Sequence, residues 1–481
     1  MPRRIVIVGG GISGLAAAYE LACRGTSFQL LEASPRFGGV IKTEEIDGFL
    51  IDAGPDALLT QKPAAIELCR ELGLGDRLRP QQQRGTSVVR DGRLRALPDA
   101  SVFGIPVDWA PFVTTRAISL RGKVRMAAEY LLRGQPAEGD ESIASFMGRR
   151  FGREAVEYLA EPLLAGIHGG DAERLSMQAL FPRLLDMERR HGSVIRGFRE
   201  SARRRTGPAP VPFVAPLGGL REMVDALIAR LPPASLQTNV RVDRIESAGG
   251  GGYRVVLDDG TALSADVVLL AAPPHVTTAI VRSLDSALAA ACARIHTVSS
   301  VTVALGYHAR ALGHPLTGTG IVVPRSAGLS ISAATWVSSK WTARAPADHV
   351  LLRAYLGGAR DPEAIELPTE TILRGAQEDL ARLIGITGDP VLARVYRWRN
   401  ANAQQNVGHP ALMNSIEERL AAHAGLFMSA AGLRGSGIAD CVSDGRRQAA
   451  AAADRLASYR AAIFDFARAS DRSSRTPAAF G

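Results

Sequence analysis

The sequence predicts an α/β fold: a parallel-sheet domain assembled from discontinuous segments, a second domain on a mixed sheet, and a mainly helical insert. Three observations carry this. The chain opens on a wholly apolar run, Ile5-Val6-Ile7-Val8, followed at once by a glycine-rich turn and a helical stretch. A second largely apolar run, Asp266 to Pro273, comes far along the chain and reads as another buried strand. Between them, residues from about 99 to 205 look mainly helical, and beyond them residues 296–400 hold several strand-like segments.

The opening unit is the most specific. Gly9-Gly10-Gly11-Ile12-Ser13-Gly14 fits G-x-G-x-x-G between a strand and a helix over Leu15 to Arg24, with Gly25 to end it. Phe28 to Leu31 is a second strand ending at Glu32. This is the order of a Rossmann-like dinucleotide-binding βαβ unit. Gly9 serves the tight turn, Gly11 the approach of backbone to pyrophosphate, and Gly14 the packing of helix on strand. The helix N-terminus at Ile12 and Ser13 offers free N–H groups and a dipole to an anion. Glu32, 18 residues past Gly14, can accept hydrogen bonds from an adenosine ribose. Its charge would repel a 2′-phosphate, which disfavours NADP.

Further along, Gln61 to Leu74 reads as a helix with Pro63 in its first turn. Thr86 to Leu97 reads as a hairpin about Asp91-Gly92. Helices are expected over Gly122 to Arg133, Glu141 to Phe151 and Glu154 to Leu164, then a proline-rich loop from Arg203 to Pro216. Leu220, Met223, Val224, Leu227, Ile228 and Leu231 form a helical core stripe stopped by Pro232-Pro233. Strands follow at Val240 to Ile245, Tyr253 to Leu257 and Asp266 to Pro273. Strand-like segments at Ser300 to Leu305 and Val350 to Tyr355 suggest a second sheet. Leu426 begins a return to the nucleotide, and Asp440 to Leu456 makes a final helix.

Glu32-Ala33-Ser34-Pro35-Arg36-Phe37-Gly38-Gly39 resembles the E-x-x-x-R-x-G-G extension of the flavin-containing amine oxidase superfamily. Arg36 can neutralise phosphate, and Gly38-Gly39 lets backbone pass close to a cofactor. Asp52-Ala53-Gly54-Pro55 resembles the superfamily segment that skirts the flavin. The strand-and-loop ending at Ala271-Ala272-Pro273, with Val240, resembles the second signature of flavoprotein Rossmann domains. Gly435, Gly437, Ile438 and Asp440 resemble the closing motif, where a helix N-terminus meets the flavin. Within the superfamily, Glu161-Pro162-Leu163-Leu164-Ala165-Gly166-Ile167-His168-Gly169-Gly170-Asp171 looks like a motif of the protoporphyrinogen/coproporphyrinogen oxidases. Gly104-Ile105-Pro106 to Pro111-Phe112 resembles the coproporphyrinogen-oxidising bacterial branch, and Asn406-Val407-Gly408-His409 and Gly435 to Cys441 are similar to family motifs near the end.

The resemblance implies noncovalent FAD, no metal, and a six-electron oxidation of a porphyrinogen, coproporphyrinogen III or protoporphyrinogen IX, by O2 with release of hydrogen peroxide, in haem biosynthesis. It implies substrate contacts at Leu163, Gly166, Ile167, Thr319, Val322 and Tyr355, with Arg84 as the candidate propionate partner. No catalytic side chain is assigned, because the hydride goes to FAD. The implied layout is FAD-binding segments at 1–85, 206–295 and 426–465, a helical insert at 86–205, a substrate domain at 296–425 and a polar, flexible tail at 466–481. Ala430 and Leu433 replace the usual glycine and aromatic of the closing motif. Cys441 lacks a covalent-flavin context and reads as a packed cysteine. Other readings stay open: an amine oxidase, a carotenoid desaturase, or a flavoprotein that carries porphyrin without oxidising it.

Composition agrees with a globular chain: 481 residues, 46% hydrophobic and 22% charged. The net charge is +9 and the pI about 9.7. Only four of the 57 basic residues are lysines, and arginines are spread along the chain without aromatic interleaving, so nucleic acid is not an expected partner. The cysteines Cys23, Cys69, Cys292 and Cys441 form no CxxC or zinc spacing, which fits a reducing, cytoplasmic setting. Arg183, Arg189, Arg190, Arg196, Arg199 and Arg203 to Arg205 cluster in the insert, so contact with the inner face of a membrane stays open. A ferrochelatase partner and a homodimer stay open too.

Overall fold

The computed structural model describes residues 5–98, 105, 109–204, 211–249 and 251–473. Gly104, Pro106, Arg205, Pro208, Pro210 and the end of the tail lie outside the described residues. The chain folds as two compact units. One gathers the segment up to Gly39, Val224–Cys292 and the chain from Ser415; the other gathers Val40–Met223 and Ala293–Asn414.

The first unit is built on a five-stranded parallel sheet ordered Leu236–Gln237, Phe28–Leu31, Ile5–Val8, Val267–Leu270 and Leu426–Met428. Ile5 pairs with Phe28 on one side and Val267 on the other. Every residue of Ile5–Val8 and Val267–Leu270 is buried, as a strand with both faces covered requires. The helix Ile12–Cys23 packs against the closing helix Ile438–Ser473. Gly445 makes that contact: a Cβ there would stand 2.4 Å from the Ser13 carbonyl oxygen. The closing helix runs past the Leu456 end read from the sequence, because nothing in its alanine-rich continuation stops it. Val242–Ser247, Tyr253–Leu257 and Ala262–Ala265 form an antiparallel sheet. Its first strand starts two residues later than expected, because the Val240 N–H donates to the Glu32 carbonyl (3.0 Å) instead.

The second unit is built on a seven-stranded mixed sheet ordered Leu392–Ala403, Thr297–His308, His349–Gly357, Ala333–Trp336, Gly320–Val322, Ser87–Arg90 and Arg93–Ala96. Alternation gives it two unlike faces. Val301, Val303, Leu305, Ile321, Ala334, Leu352 and Ala354 form an apolar core with Ile372, Ala376 and Leu380 of the helix Thr369–Ile384. The opposite face carries two registered rows. Tyr396, Thr302, Tyr355, Ala333, Val322 and Val88 make one, and Arg394, Ala304, Arg353, Thr335 and Gly320 the other.

Residues 40–85, assigned above to the nucleotide domain, belong to this second unit. Buried charge explains it. Asp52, on the Phe49–Asp52 strand, accepts from Thr43 Oγ1 (2.5 Å) and the Leu220 N–H (3.0 Å) and lies 3.4 Å from the buried Arg344.

The helical block has its own core, including Phe112, Phe146, Phe151, Leu159, Leu164, Ile195 and Phe198. The stretch read as one helix over Glu154 to Leu164 is α over Arg153–Ala155, a π turn over Val156–Ala160, then α again over Glu161–His168. Pro162 accounts for the wide turn, since it has no N–H to donate and its ring crowds the preceding turn. Two carboxylates with no exposure, Glu129 and Glu188, tie the block together. Glu129 accepts from Arg150 Nε (3.0 Å), Ser193 Oγ (2.7 Å) and the Val194 N–H (2.8 Å) at the start of the helix Val194–Arg203. Glu188 accepts from Arg149 (2.6 Å) and Arg150 (3.3 Å). Among the described residues no helix is long and apolar enough to cross a membrane.

Glu129→Ala leaves Arg150 buried without its main partner and the Val194 and Ile195 N–H groups without their acceptor. It should destabilise the protein by about 3–5 kcal/mol, read as a lower denaturant midpoint. An unchanged midpoint would remove this carboxylate from the block's stability.

Candidate active site

The nucleotide cradle of the first unit rests on three glycines with different jobs. Gly9 sits at φ +107°, and a Cβ there would stand 2.8 Å from the Ala271 carbonyl carbon. The Ala271 N–H in turn donates to the Val8 carbonyl (2.7 Å). A Cβ on Gly14 would fall 1.9 Å from the Gly9 carbonyl oxygen, so only glycine lets the helix start this close to the strand. A Cβ on Gly11 meets nothing within 4 Å, so open space lies beside the helix N-terminus. No side chain caps that terminus: Gly11 is the cap residue, and Ile12 and Ser13 begin the helix. The cradle therefore keeps its N–H groups for an outside acceptor.

Glu32 takes the Gly10 N–H on Oε2 (2.6 Å) and the Ser34 N–H on Oε1 (2.8 Å), with exposed Ala33 between. A carboxylate can accept about four hydrogen bonds, so capacity remains for ribose hydroxyls. Arg36 donates to the Gly39 and Phe37 carbonyls, which folds its guanidinium over its own loop, and Gly38 donates to the Gly10 carbonyl (2.8 Å). A Cβ on Gly39 would stand 3.3 Å from Gly11 Cα, bringing the two glycine turns together. At the far end, Gly435 at φ +148° accepts from the Gly432 N–H (2.8 Å). Asp440 accepts from the Gly437 N–H (3.3 Å) at the start of the helix that begins at Ile438. The open Gly11 at a free helix N-terminus, with the Glu32 carboxylate 21 residues on, suits a pyrophosphate and its ribose.

In the second unit, the helix Glu161–His168 covers the hydroxyl-bearing face of the sheet. A Cβ on Gly166 would stand 3.1 Å from Ala333 Cβ and 3.7 Å from Val322 Cγ1, and Leu163 and Tyr355 pack beside them. Ile167 lies on the same helix. Two hydroxyl pairs edge this wall: Thr86 with Thr319 (3.1 Å) and Thr335 with Tyr355 (3.1 Å). Thr319 also donates to the Gly85 carbonyl (2.9 Å), and Arg84, next to Gly85, is exposed.

Behind the Tyr355 row lies a charged cluster that the sequence did not announce. Gly54 accepts from Arg353 Nη2, and a Cβ there would stand 2.0 Å from the Val40 carbonyl oxygen. Pro55 follows, then Asp56, 3.0 Å from Lys340, 3.2 Å from Trp341 Nε1 and 3.9 Å from Arg353. Burial alone would raise the Asp56 carboxyl, but Lys340 and Arg353 hold it well below the usual range. Burial dominates at Asp52 and pushes its carboxyl up despite Arg344. Arg353 and Arg344 are each 2% exposed, and Nε and Nη1 of both lack hydrogen-bond acceptors. An arginine in a strand, like Arg353, or in a loop, like Arg344, reads as an outward charge, so only the fold reveals these two as buried.

Residues 12–453 match the family described as flavin containing amine oxidoreductase. The coproporphyrinogen III oxidase of Bacillus subtilis is 35% identical over 467 residues, covering 94% of this chain and 98% of that protein. The chloroplastic protoporphyrinogen oxidase of Nicotiana tabacum is 29% identical over 470 residues, covering 91% and 83%. A crystal structure from Exiguobacterium sp. 255-15, provisionally assigned as a protoporphyrinogen oxidase, superposes with a TM-score of 0.82 at 30% identity over 95% of this chain and 99% of that one. Cyclohexylamine oxidase from Brevibacterium oxydans, at 17% identity and a TM-score of 0.68 over 94% and 99%, shares the fold. This chain is thus an oxidoreductase of the flavin-containing amine oxidoreductase family, and within it belongs to the coproporphyrinogen III and protoporphyrinogen oxidases.

Proposed function

We propose that the chain oxidises a porphyrinogen, coproporphyrinogen III ahead of protoporphyrinogen IX, to the porphyrin of the haem route, with noncovalent FAD and O2. The observation that carries this is the wall of the second unit: an apolar surface of Leu163, Val322, Ala333 and Tyr355 edged by the Thr86–Thr319 and Thr335–Tyr355 hydroxyl pairs. A large apolar macrocycle needs the first, and its carboxylates suit the second. Four propionates make more use of such hydroxyls than two. The likeness to coproporphyrinogen III oxidases at up to 35% identity supports the same order.

FAD, when bound, supplies a two-electron acceptor for the hydride of a methylene carbon. The chain's residues bind and orient. The Gly11 turn and the Ile12 helix terminus receive the pyrophosphate, and Glu32 receives the ribose. Gly38, Gly39, Gly435 and Gly437 let backbone approach closely. Leu163, Gly166, Ile167, Val322 and Tyr355 hold the macrocycle and exclude water, and Thr319 and exposed Arg84 address propionates at the rim. Cys441 is buried at 5% exposure, which supports a packed thiol over a covalent flavin link.

A second reading concerns where the enzyme works. Val113, Leu120, Val124 and Leu131 are 64–82% exposed, and the last three recur at helical spacing. Arg116, Arg121, Lys123 and Arg133 lie among them in sequence, while Glu129, the acid of that stretch, is buried. Arg196 and Arg199 lie over the rings of Tyr130 and Trp109. Apolar knobs, interfacial aromatics and cations together suit peripheral contact with an anionic lipid surface.

Full-length protein reconstituted with FAD should convert coproporphyrinogen faster than protoporphyrinogen, releasing three peroxides per porphyrin, read by porphyrin fluorescence and a peroxide assay. A flavin-loaded protein that oxidises neither would overturn the assignment. Glu32→Gln should weaken FAD binding by about tenfold in a fluorescence titration, since a charge-assisted acceptor is lost. In flotation, the chain should rise with phosphatidylserine vesicles at low salt, sink at high salt, and lose binding in a Leu120→Ser/Leu131→Ser variant. Flotation indifferent to that variant would rule out this surface.

A further inference from the structure

The helix Glu161–His168 that covers the wall is held differently at its two ends, and one short segment holds both. Gly358–Arg360 follows the His349–Gly357 strand, which carries Tyr355. At the far end of the helix the Ala359 N–H donates to the Gly169 carbonyl (2.7 Å), and a Cβ on Gly358 would stand 2.5 Å from that oxygen. Gln404 Nε2 donates to the His168 carbonyl (3.1 Å). These ties are uncharged. At the near end the tie is ionic and incomplete. Glu161 Oε1 lies 3.4 Å from Arg360 Nε and, though buried, takes no hydrogen bond. Glu161 Oε2 accepts the Arg325 N–H at 3.3 Å, and Arg360 commits Nη1 to the Val323 carbonyl (2.6 Å). A half-satisfied buried carboxylate disfavours the state that buries it. The π turn Val156–Ala160 enters this same end. Such a turn holds one residue more than an α turn, which is slack for a shift.

We propose that the Glu161 end of the covering helix lifts to admit and release the macrocycle while the Gly169 end stays fastened, and that Glu161 with Arg360 sets how readily it lifts. Leu163 leaves the wall first, and Gly166, against Ala333, stays nearer the pivot. Glu161 and Arg360 are positioning residues, since neither belongs to the wall. The charged groups that face Glu161 are Arg360, Arg325 and Asp171, while Glu157 of the π turn is bonded to Tyr158 instead. Burial pushes the Glu161 carboxyl up despite the two arginines, and Asp171 adds to the push. A lifted Glu161 meets water and titrates in the ordinary range. The lowered end therefore binds a proton more tightly than the lifted one, and acid favours the lowered end. The inference rests on the wall being the macrocycle site, as read above.

Coproporphyrin III, the oxidised macrocycle, tests it without turnover through its own fluorescence. In the full-length protein reconstituted with FAD, Arg360→Met leaves the Glu161 carboxylate buried without its cation. Association and dissociation in stopped flow should then both speed up by about tenfold, with Kd within a few-fold of the parent. Equal acceleration marks a gate, whereas a lost contact changes dissociation. Glu161→Met/Arg360→Met replaces the pair by apolar side chains and should return both rates to the parent's or below. The parent's two rates should also slow together as pH falls from neutral, beyond whatever slowing the double variant shows from the porphyrin's own titration. That comparison keeps the test open if Arg360→Met does not fold. Unmoved rates in Arg360→Met would overturn the proposal, as would parent and double variant sharing one pH dependence. So would a double variant as fast as the single one, which would leave Arg360 acting through the Val323 carbonyl alone. A parent that binds no porphyrin overturns the macrocycle reading of the wall and this inference together, whereas binding with unmoved rates overturns this inference only.

Discussion

The structure of the first unit depends on one close approach. The Gly9 carbonyl lies where any Cβ on residue 14 would be, and the Ala271 carbonyl lies against Gly9 itself. Three segments meet there: the Ile5–Val8 strand, the helix it feeds, and the Val267–Leu270 strand from far along the chain. Removing two side chains brings a helix terminus to the edge of a parallel sheet with its N–H groups uncommitted. The pairing of Ile5 with Val267, the seating of the closing helix on Ser13 through Gly445, and the reach of Glu32 back to Gly10 all presuppose that geometry. Uncommitted donors are its consequence: groups that cannot bond within the helix must bond outside it.

The second unit meets a different constraint, how to keep one face of a sheet polar without losing the sheet. Its apolar face is buried against the helix Thr369–Ile384 in the ordinary way. Its other face holds Tyr396, Thr302, Tyr355 and Thr335 with Arg353 among them, residues that would weaken a plain core. They are tolerated because most have partners: Tyr355 with Thr335, Tyr396 with Glu44 (2.7 Å), Arg353 with the Gly54 carbonyl. A protein that needed only stability would do better with valines there. The helix that covers this polar face carries Gly166 where a side chain would press on Ala333.

What could be read from the sequence follows from what is local. Glycine spacing, the two apolar runs, the acid after the second strand and the Asp91-Gly92 hairpin are short-range patterns, and the structure contains each as an element. The allocation of residues 40–85 was not legible, because it is decided by Asp52 meeting Arg344, nearly 300 residues apart. The π turn before Pro162 escaped because periodicity over eleven residues cannot distinguish a helix from one with a single wide turn. At the site, the glycines and Glu32 were legible by type and spacing. Lys340, Arg344 and Arg353 were not: a basic residue in a strand or loop looks the same whether it points into water or into a buried carboxylate.

That blind spot bears on how the chain's charge should be understood. The +9 read from composition is a statement about solution behaviour, and most of the arginines are spread along the chain without a role that a count could reveal. Location gives charge its meaning. Arg36 is spent on its own loop carbonyls, Arg149 and Arg150 on the buried carboxylates of the helical block, and Arg196 and Arg199 on aromatic rings. The three cations around Gly54 are spent on Asp52 and Asp56, carboxylates that lie far from them in the sequence and beside them in the fold.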